Sequence, residues 1–520
     1  MILQVRLMAV EYYFGAFFIA LIVSWIGNRA LIRRQQDAQE SQRSRCFHQK
    51  HTEEVSRYGG LAIFTGVAVA FFLVGLQAAK TATLDHTSVL ILGPAAMFLL
   101  GFWDDMHPLG AKTKLAMQVL IAGTVAAHGF EIHHITNPFS GESISIAPWG
   151  IIAAAIWLVT LTNLVNLIDG IDGLAGGISL MMMVLLVNVG IFGGGNEGAL
   201  MAFMIGGAVI GFLCFNFPPA KIYMGDGGAY FLGFSIGLLT IDCSQKGTAA
   251  AALLASIIAL GLPFTDIGIT IMRRAIKGLP VFRADRRHLH HRLIEAGLTR
   301  KRSVILLYAL SMVFLCMSLG VFWSDGRLIT ILAGVAMMVV VVLVNAVGLM
   351  PLGNGIADFA GQITTIRANT RYLITLGQWL EMEADRCETP EELWENFLFI
   401  AGKMGLIAVR IETDHGELEW HNPSKDGITE SNRRVNRVEI HSGSVEALET
   451  VSERNRDTDA IWALRNELIT EAWFKAANRW QKLNKQKIHF ATVAETAKNA
   501  AKQAAKDQLL QDSTAGNPAA

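Results

Sequence analysis

Long apolar runs, separated by short polar segments, fill the first two thirds of the chain. A helix of about 17–25 apolar residues is long enough to cross the roughly 30 Å hydrocarbon core of a bilayer. The first run lacks the basic start and the small-residue cleavage site of a secretory signal peptide, so we interpret it as a spanning helix. The pattern predicts eleven transmembrane helices, over residues 10–28, 59–79, 88–103, 114–128, 150–168, 174–192, 199–217, 229–243, 249–272, 303–323 and 327–348.

The pattern of polar and apolar positions changes after residue 348. The segment TPEELWENFLFIAGKMG opens with Thr389-Pro390, a helix-start signal, and continues with helical periodicity. LIAVRIET and GELEWH alternate like a hairpin, VNRVEIHSG adds a strand, and residues 457–510 return to a helical pattern. We therefore expect a transmembrane domain over residues 1–348 and an α+β domain with a helical tail over 349–520. That second domain has no catalytic constellation, and a role in regulation or in binding an unknown partner is a hypothesis.

The composition agrees with this division. Charged residues make up only 17% of the chain, against about a quarter in soluble domains. The 44 Lys+Arg balance 44 Asp+Glu, and a net charge of zero gives no reason to expect a nucleic acid partner. Residues 349–520 hold 20 basic and 25 acidic residues, which leaves 24 basic and 19 acidic residues in the first part. The five cysteines form no C-x-x-C pair, which excludes a disulfide framework and a thiolate zinc site.

The basic residues of the first part predict its orientation in the membrane. Cytoplasmic loops are enriched in Lys and Arg, and 20 of the 24 basic residues lie on one side of the predicted spans. We therefore expect the N-terminus outside and residues 349–520 in the cytoplasm. The expected cytoplasmic loops are 29–58, 103–113, 218–228 and 273–302.

Aspartates recur at the predicted cytoplasmic ends of spans. They are Asp104 and Asp105 in GFWDD, Asp169 and Asp172 in NLIDGIDG, and Asp226 in MGDGG. A single aspartate in such a place usually caps a helix, but five on one membrane face indicate a site, because carboxylates in or beside spans are costly. Clustered carboxylates favour Mg²⁺, which prefers oxygen ligands and shares its shell with water and substrate phosphates.

A histidine- and arginine-rich segment, FRADRRHLHHRL, lies in the last of these loops. It contains Arg286, His288, His290 and His291. Arginine binds phosphate oxygens in pairs, so the segment suits a pyrophosphate. A zinc site is the alternative, but zinc prefers nitrogen and sulfur ligands, and here carboxylates are more numerous. A positive-inside loop explains the arginines but not the histidines, so we infer phosphate chemistry on a nucleotide.

The motifs GFWDD, NLVNLIDGIDGL, NFPPAKIYMGDGG and DRRHLHH together resemble the polyprenyl-phosphate N-acetylhexosamine-1-phosphate transferase superfamily. The likeness covers about residues 45–350, with the motifs in the family order. The form D-R-x-H-x-H-H is similar to the branch of bacterial undecaprenyl-phosphate GlcNAc-1-phosphate transferases. The phospho-MurNAc-pentapeptide translocases of the same superfamily differ there.

The resemblance implies a reaction in which a UDP-N-acetylhexosamine and a polyprenyl phosphate give a polyprenyl-diphospho-sugar and UMP. It implies Mg²⁺ as cofactor, with Mn²⁺ as the alternative, and an active site on the cytoplasmic face of the inner membrane. It also implies a place at the start of cell-surface polysaccharide or O-antigen assembly. Direct attack by the lipid phosphate is favoured over a covalent aspartyl-phosphate intermediate, since the lipid phosphate is already an anionic nucleophile.

The resemblance further implies roles for single residues. Asp226 matches the principal magnesium ligand. Either Asp104 or Asp105, with Asp104 favoured, matches the base or phosphate-orienting group. His290 and His291 match catalytic positions near the diphosphate. The positions that match contacts to the nucleotide or substrate are Asn166, Asp169, Asp172, Asn216, Tyr223, Lys114, Arg286 and His288.

The sequence also departs from the family pattern, and other classes of protein remain as alternatives. The early P-T-P-R-x-G-G segment reads EVSRYGG, and Ala229 replaces the usual serine. Neither change replaces an expected metal ligand.

The alternatives are a translocase-like transferase, a multi-span transporter and a catalytically silent scaffold. A transporter would be expected to show internal repeats and ionisable groups near the midplane. A homodimer is consistent with the sequence, which does not decide the oligomeric state.

Overall fold

The structure is a computed structural model that describes the following parts of the chain. These are residues 2–43, 55–75, 84–136, 143–193, 196–246, 249–277, 293–294, 297–324, 332, 335, 356–413, 416–425, 429, 432–442, 445–454 and 459–485. The chain forms two compact units, residues 1–272 with 284–351 and residues 273–283 with 352–520. The domain boundary predicted between residues 348 and 349 lies outside the described residues.

The first unit is built almost entirely of helices. They end where Gly, Pro and Asp interrupt the apolar runs, as at Ile168 before Asp169-Gly170 and at Asn216 before Phe217-Pro218. A short hairpin of β1 (His134–Thr136) and β2 (Ser143–Ser145) is the described β-structure of this unit. The helices are α1 (Ile2–Arg43), α2 (Gly59–Ala70, continued by a π-turn over Phe71–Gly75), α3 (Leu84–Met106), α4 (Ala111–Ala127), α5 (Gly150–Ile168), α6 (Leu174–Gly193), α7 (Asn196–Asn216), α8 (Gly225–Lys246), α9 (Ala249–Ala259), α10 (Gly261–Lys277) and α11 (Arg300–Trp323).

The predicted apolar runs agree with these helices within the described residues. The first ten runs each fall on helix, and the run 249–272 is broken between α9 and α10. The eleventh run, 327–348, lies almost wholly outside the described residues. Six described helices are long and apolar enough to cross a membrane, and the α9–α10 pair, bent by 69°, is either a broken seventh span or a re-entrant loop. The chain is therefore a polytopic helical membrane protein, and the count of eleven spans stays a prediction.

Helix α8 lies in the middle of this unit. Every residue from Gly227 to Cys243 is buried, as expected of a helix surrounded by other helices. A Cβ on Gly233 would lie 2.5 Å from the backbone oxygen of Leu161 in α5, so these two helices approach closely. The first turn of α8 carries Asp226, which is only partly buried. The buried helix therefore holds this aspartate at one end of the bundle.

A second group of ionisable side chains lies at the other end of α8. The His86 ring stands between two carboxylates, with Nδ1 3.1 Å from Glu197 Oε2 and Nε2 3.1 Å from Asp242 Oδ1. The ring also stacks on Phe130, with 4.7 Å between centroids. Asp242 is fully buried. The imidazole therefore joins the ends of α3, α7 and α8, a contact between residues more than 100 positions apart that the hydrophobic pattern does not reveal.

Replacing His86 by leucine is expected to lower the stability of this end of the bundle. The substitution removes the imidazole that contacts Glu197 and the buried Asp242, and loss of a partner of a buried polar group costs about 1–3 kcal/mol. The measurement is the thermal unfolding midpoint of the detergent-purified protein. The matched control is H133L, because His133 forms an exposed pair with Glu131, worth about 0–1 kcal/mol. Equal midpoints for H86L and H133L would contradict this account.

The second unit contains a four-stranded sheet with helices. Its elements are α12 (Ile356–Glu383), α13 (Pro390–Lys403), β3 (Ala408–Thr413), β4 (Gly416–His421), β5 (Arg433–Ser442), β6 (Val445–Glu453) and α14 (Asp459–Asn484). The strand order is β4-β3-β6-β5, and each neighbouring pair is antiparallel. Thr389 caps α13 by accepting the Glu392 N–H at 3.3 Å. Residues 486–510 of the predicted helical tail lie outside the described residues.

The alternation in β3 is the one that the sequence predicts. Val409 and Ile411 are fully buried in the core of this unit, beside Phe397 and Trp473. Between them on the chain, Arg410 points to the other face and pairs with Glu419 of β4 at 3.1 Å. The sequence did not predict β6, whose segment VEALETVSE is rich in helix-forming residues. Its hydrogen-bonded neighbours on both sides, β3 and β5, decide its conformation.

Candidate active site

The two adjacent aspartates at the end of α3 have different partners. Asp105 accepts two backbone hydrogen bonds, from the Asp226 N–H at 2.9 Å and from the Gly227 N–H at 3.0 Å. The first N–H groups of a helix have no partner within the helix, and a carboxylate near them is favourable. Asp105 therefore caps α8 from a neighbouring helix, and in doing so it fixes the position of Asp226.

Asp104 belongs to an arrangement of charged side chains on the other side of α3. One of its oxygens accepts the Leu109 N–H at 2.7 Å, and the other is in contact with the Lys114 ammonium. The same ammonium lies 3.4 Å from Asp226 Oδ2. Asp104 is 5% exposed. Lys114 therefore bridges the carboxylates of Asp104 and Asp226, and we call these three residues the charged triangle.

Close backbone approaches bring the triangle together. A Cβ on Gly101 would lie 2.5 Å from the Asp226 carbonyl oxygen, so α3 and α8 touch through backbone atoms. Gly225 has φ +75° and precedes Asp226. A Cβ there would lie 2.3 Å from the Arg57 carbonyl oxygen and 2.7 Å from Asp105 Oδ2, so both the conformation and the space require glycine. The first glycine of MGDGG is therefore required by the backbone conformation and the close packing at this site.

The EVSRYGG segment lies along the loop that leads into α8. The Tyr223 N–H donates to the Ser56 carbonyl at 2.7 Å, and the Gly59 N–H donates to the Tyr223 carbonyl at 2.9 Å. The Gly60 N–H donates to the Met224 carbonyl at 2.8 Å. The segment therefore keeps its glycines in backbone contact with the site although it lacks the two prolines of the family pattern. Tyr223 is 37% exposed.

The turn between α5 and α6 carries Asp169 and Asp172. Asp172 Oδ2 accepts the Ala220 N–H at 3.1 Å. Asn216, at the end of α7, accepts the Gly173 N–H at 2.8 Å and donates to the Ile222 carbonyl at 2.8 Å. Two side chains thus join this turn to the loop before α8.

Asn216 has a structural role between two loops, and its predicted contact to the nucleotide or substrate stays a prediction. It is 2% exposed, and both polar atoms of its amide are hydrogen-bonded to the backbone. We therefore interpret Asn216 as a residue that joins two loops. Asn166 is half-buried at the end of α5, and its predicted contact to the nucleotide stays a prediction.

The site concentrates negative charge. Burial raises the pKa of the Asp169 carboxyl well above its usual range, and neighbouring carboxylates add to the effect. These neighbours are Asp226, Asp105 and Asp172. A cation that binds among them would relieve this repulsion.

The donor set fits Mg²⁺ bound together with a substrate. Among the described residues no group of three or more His, Cys, Asp or Glu side chains is arranged to hold a metal ion by itself. Mg²⁺ commonly takes only one or two protein carboxylates and completes its shell with water and phosphate oxygens. Asp226, with Asp104 across Lys114, supplies such a pair. The site therefore suits a metal that arrives with a diphosphate better than a metal held by protein alone.

A cavity of about 530 Å³ opens next to Asp105. Its lining includes Arg34 from α1 and Arg57 and Tyr58 from the EVSRYGG segment. Two guanidinium groups beside an acidic site would favour an anionic ligand.

Four predicted site residues lie outside the described part of the chain. They are Arg286, His288, His290 and His291. Their placement near a diphosphate stays a prediction.

Sequence reasoning missed two groups near the site. The Tyr230 hydroxyl lies beside the Asp226 carboxylate, and the spacing of four residues on one helix is the signal that could have identified it.

The second group is a contact between α5 and α4. Asn163 of α5 donates to Gln118 of α4 at 2.7 Å, and Gln118 is buried. Gln118 is one turn after Lys114, so this bond fixes α4 next to the triangle.

The chain is similar to known proteins over the region that carries these candidate residues. The sequence model described as glycosyl transferase family 4 matches residues 87–244, which include every described candidate residue. A Bacillus subtilis (strain 168) protein named "Probable undecaprenyl-phosphate N-acetylglucosaminyl 1-phosphate transferase" is 30% identical over 264 residues, which cover 51% of this chain and 72% of that protein. The Mycobacterium leprae decaprenyl-phosphate N-acetylglucosaminephosphotransferase is 28% identical over 50% of this chain and 71% of its own length. An Escherichia coli (strain K12) undecaprenyl-phosphate alpha-N-acetylglucosaminyl 1-phosphate transferase is 23% identical over the same shares.

Proposed function

The chain belongs to glycosyl transferase family 4, within the polyprenyl-phosphate N-acetylhexosamine-1-phosphate transferase superfamily, and from this we propose that it transfers N-acetylhexosamine 1-phosphate from a UDP-sugar to a polyprenyl phosphate. The products are a polyprenyl-diphospho-sugar and UMP. We propose UDP-N-acetylglucosamine as the donor and undecaprenyl phosphate as the acceptor, by analogy with the relatives. The product would start assembly of a cell-surface polysaccharide.

One observation carries the proposal beyond family membership. The ammonium of Lys114 bridges the carboxylates of Asp104 and Asp226, while Asp105 holds the backbone of Asp226. These side chains come from α3, α4 and α8 and meet at the ends of those helices. Such a concentration of charges in a chain with so few of them supports a site for phosphoryl transfer.

The chemistry transfers a phosphoryl group between two anions. An oxygen of the lipid phosphate forms a bond to the β-phosphorus of the donor, the bond from that phosphorus to the bridging oxygen breaks, and UMP leaves. Such reactions depend mainly on positioning and on neutralising charge. A bound Mg²⁺, held by Asp226 with Asp104 nearby, would neutralise phosphate charge and polarise the P–O bonds.

The residues of the chain then have separate tasks. Lys114 lies between the two carboxylates and supplies positive charge where phosphate oxygens would collect. Asp104, fixed by the Leu109 N–H and by Lys114, would orient the acceptor phosphate. Asp169 and Asp172 would hold the nucleotide, and the ring of Tyr223 would stack on the uracil.

We further propose that the site lies on the cytoplasmic face of the plasma membrane, in an eleven-span protein with its N-terminus outside. The distribution of Lys and Arg along the chain supports this orientation. A water-soluble UDP-sugar and a lipid phosphate can meet only at the interface. The candidate aspartates stand at the ends of helices, which is where such a meeting would occur.

The full chain, purified in detergent, tests the proposal in an assay of UMP release. The donors are UDP-N-acetylglucosamine, UDP-N-acetylgalactosamine, UDP-MurNAc-pentapeptide and UDP-glucose, each with undecaprenyl phosphate and MgCl₂. We expect UMP only with a UDP-acetamido sugar and only when the lipid phosphate is present. Chelation with EDTA should stop release, and added Mg²⁺ should restore it. Absence of UMP with every donor would contradict the proposed reaction, and release that survives EDTA would contradict the metal requirement.

A further inference from the structure

The turn between α5 and α6 ends at a glycine in the left-handed region of backbone conformation. Gly173 has φ +80°, a conformation that residues with a side chain rarely adopt. A Cβ there would lie 3.3 Å from Pro218 Cδ and 3.4 Å from the Tyr308 hydroxyl oxygen. Pro218 and the Tyr308 hydroxyl therefore lie next to the end of this turn.

Side chains from two distant helices hold the two peptide groups of Gly173. Its N–H donates to Asn216 Oδ1 at 2.8 Å, from the end of α7. Its carbonyl accepts the Tyr308 hydroxyl at 2.5 Å, from α11, in addition to the Gly177 N–H at 2.9 Å in the first turn of α6. A hydroxyl on a helix 135 residues further along the chain thus fixes the end of this turn.

Gly177 provides the space that Tyr308 needs. A Cβ on Gly177 would lie 2.2 Å from both Cζ and the hydroxyl oxygen of Tyr308. The end of the phenol ring therefore rests against the backbone of α6, one turn after Gly173. The sequence predicted α11 only as a spanning helix, and no motif includes Tyr308.

We propose that Tyr308 is a positioning residue for the sugar-nucleotide donor. The inference rests on the proposed function, in which Asp169 and Asp172 hold the nucleotide. Through Gly173, the Tyr308 hydroxyl fixes the turn that carries both aspartates, and Asp172 in turn holds the loop of Tyr223 through the Ala220 N–H. The group proposed to orient the acceptor, Asp104, lies on another helix, α3. Tyr308 should therefore act on donor binding and leave acceptor binding unchanged.

A matched control exists on the same helix. The Ser318 hydroxyl of α11 is buried and donates to the Ala255 carbonyl of α9 at 2.6 Å. Both Y308F and S318A therefore remove one hydroxyl of α11 that donates to a backbone carbonyl outside that helix. Only Y308F removes a hydrogen bond to the turn between α5 and α6. If Tyr308 served merely to pack α11 against the bundle, the two variants would behave alike.

The experiment measures kcat and both KM values for the full-length wild type, Y308F and S318A. Loss of one neutral hydrogen bond predicts a rise of about fivefold in the donor KM of Y308F, with kcat and the acceptor KM within about twofold of wild type. S318A should stay within about twofold in all three. G177A, whose methyl group would displace the phenol ring, serves as a second variant and should act like Y308F. A donor KM of wild-type size in Y308F and G177A, or an equal rise in S318A, would overturn the inference.

A binding measurement separates failure of this inference from failure of the proposed function. UDP should raise the thermal unfolding midpoint of the wild type and of S318A, and should raise that of Y308F less. If the wild type releases no UMP from any donor, the proposed reaction is wrong, and this difference in stabilisation still decides the role of Tyr308. Equal stabilisation of all three proteins by UDP would overturn that role.

Discussion

Replacing Asp226 by alanine is expected to lower the rate of sugar-phosphate transfer by about 10³-fold or more, because the variant would lose the carboxylate that we propose as the ligand of Mg²⁺ beside the reacting phosphates. The change should act on chemistry and leave the fold intact. The backbone N–H of residue 226 is still held by Asp105, so the start of α8 stays capped. The measurement is kcat for UMP release at saturating donor and Mg²⁺, together with the thermal unfolding midpoint.

The control for this variant lies on the same helix. Asp242 is a fully buried carboxylate at the far end of α8, beside His86. D242N should lower the unfolding midpoint and keep the kcat of the folded protein, the reverse of D226A. Turnover of D226A at a rate close to that of wild type would contradict the role proposed for Asp226.

Replacing Asp104 by asparagine is expected to lower kcat by about 10²–10³-fold, the range seen when one charge-stabilising group is removed from an active site. The amide oxygen can still accept the Leu109 N–H, so the local backbone should stay in place. The contact with the Lys114 ammonium loses its negative partner, and Lys114 is then free to move toward Asp226. The unfolding midpoint of D104N should therefore stay close to that of wild type.

The neighbouring variant D105N provides the comparison. The Asp105 carboxylate accepts two backbone N–H groups, one on each oxygen. An amide offers only one acceptor and directs its NH₂ group at the other donor, so α8 loses a cap that is worth about 1 kcal/mol or more. We expect D105N to lower both kcat and the unfolding midpoint. If D104N and D105N had the same effect on stability, the distinct roles assigned to the two aspartates would be wrong.

The difference between these two aspartates illustrates what a sequence can predict. The motif GFWDD identifies both as candidates because each is an acid at the end of an apolar run. Consecutive residues on a helix point about 100° apart, so Asp104 faces Lys114 of α4 while Asp105 faces the first turn of α8. Only the packing of three helices distinguishes them.

Elements with a local signal in the sequence can be predicted well. The helix α5 begins and ends at the predicted residues, 150 and 168, because an apolar run bounded by glycine and aspartate is local information. The roles of Tyr308 and His86 depend on contacts between residues 135 and more than 100 positions apart. No local pattern contains that information. Asn216 is an intermediate case. Its motif identifies it as a candidate residue, but only its burial and hydrogen bonds in the fold show what it contacts.

The most direct test of the central claim follows the β-phosphorus of the donor. The purified full-length protein is incubated with undecaprenyl phosphate, Mg²⁺ and UDP-N-acetylglucosamine labelled with ³²P at the β-phosphorus, and the label is measured after extraction of the lipid. Transfer of sugar 1-phosphate predicts that the label moves into the lipid product while unlabelled UMP remains in water. Label that remains in water as UDP while the sugar appears in the lipid would show transfer of the sugar alone. That result would contradict the reaction proposed for the site of Asp104, Lys114 and Asp226.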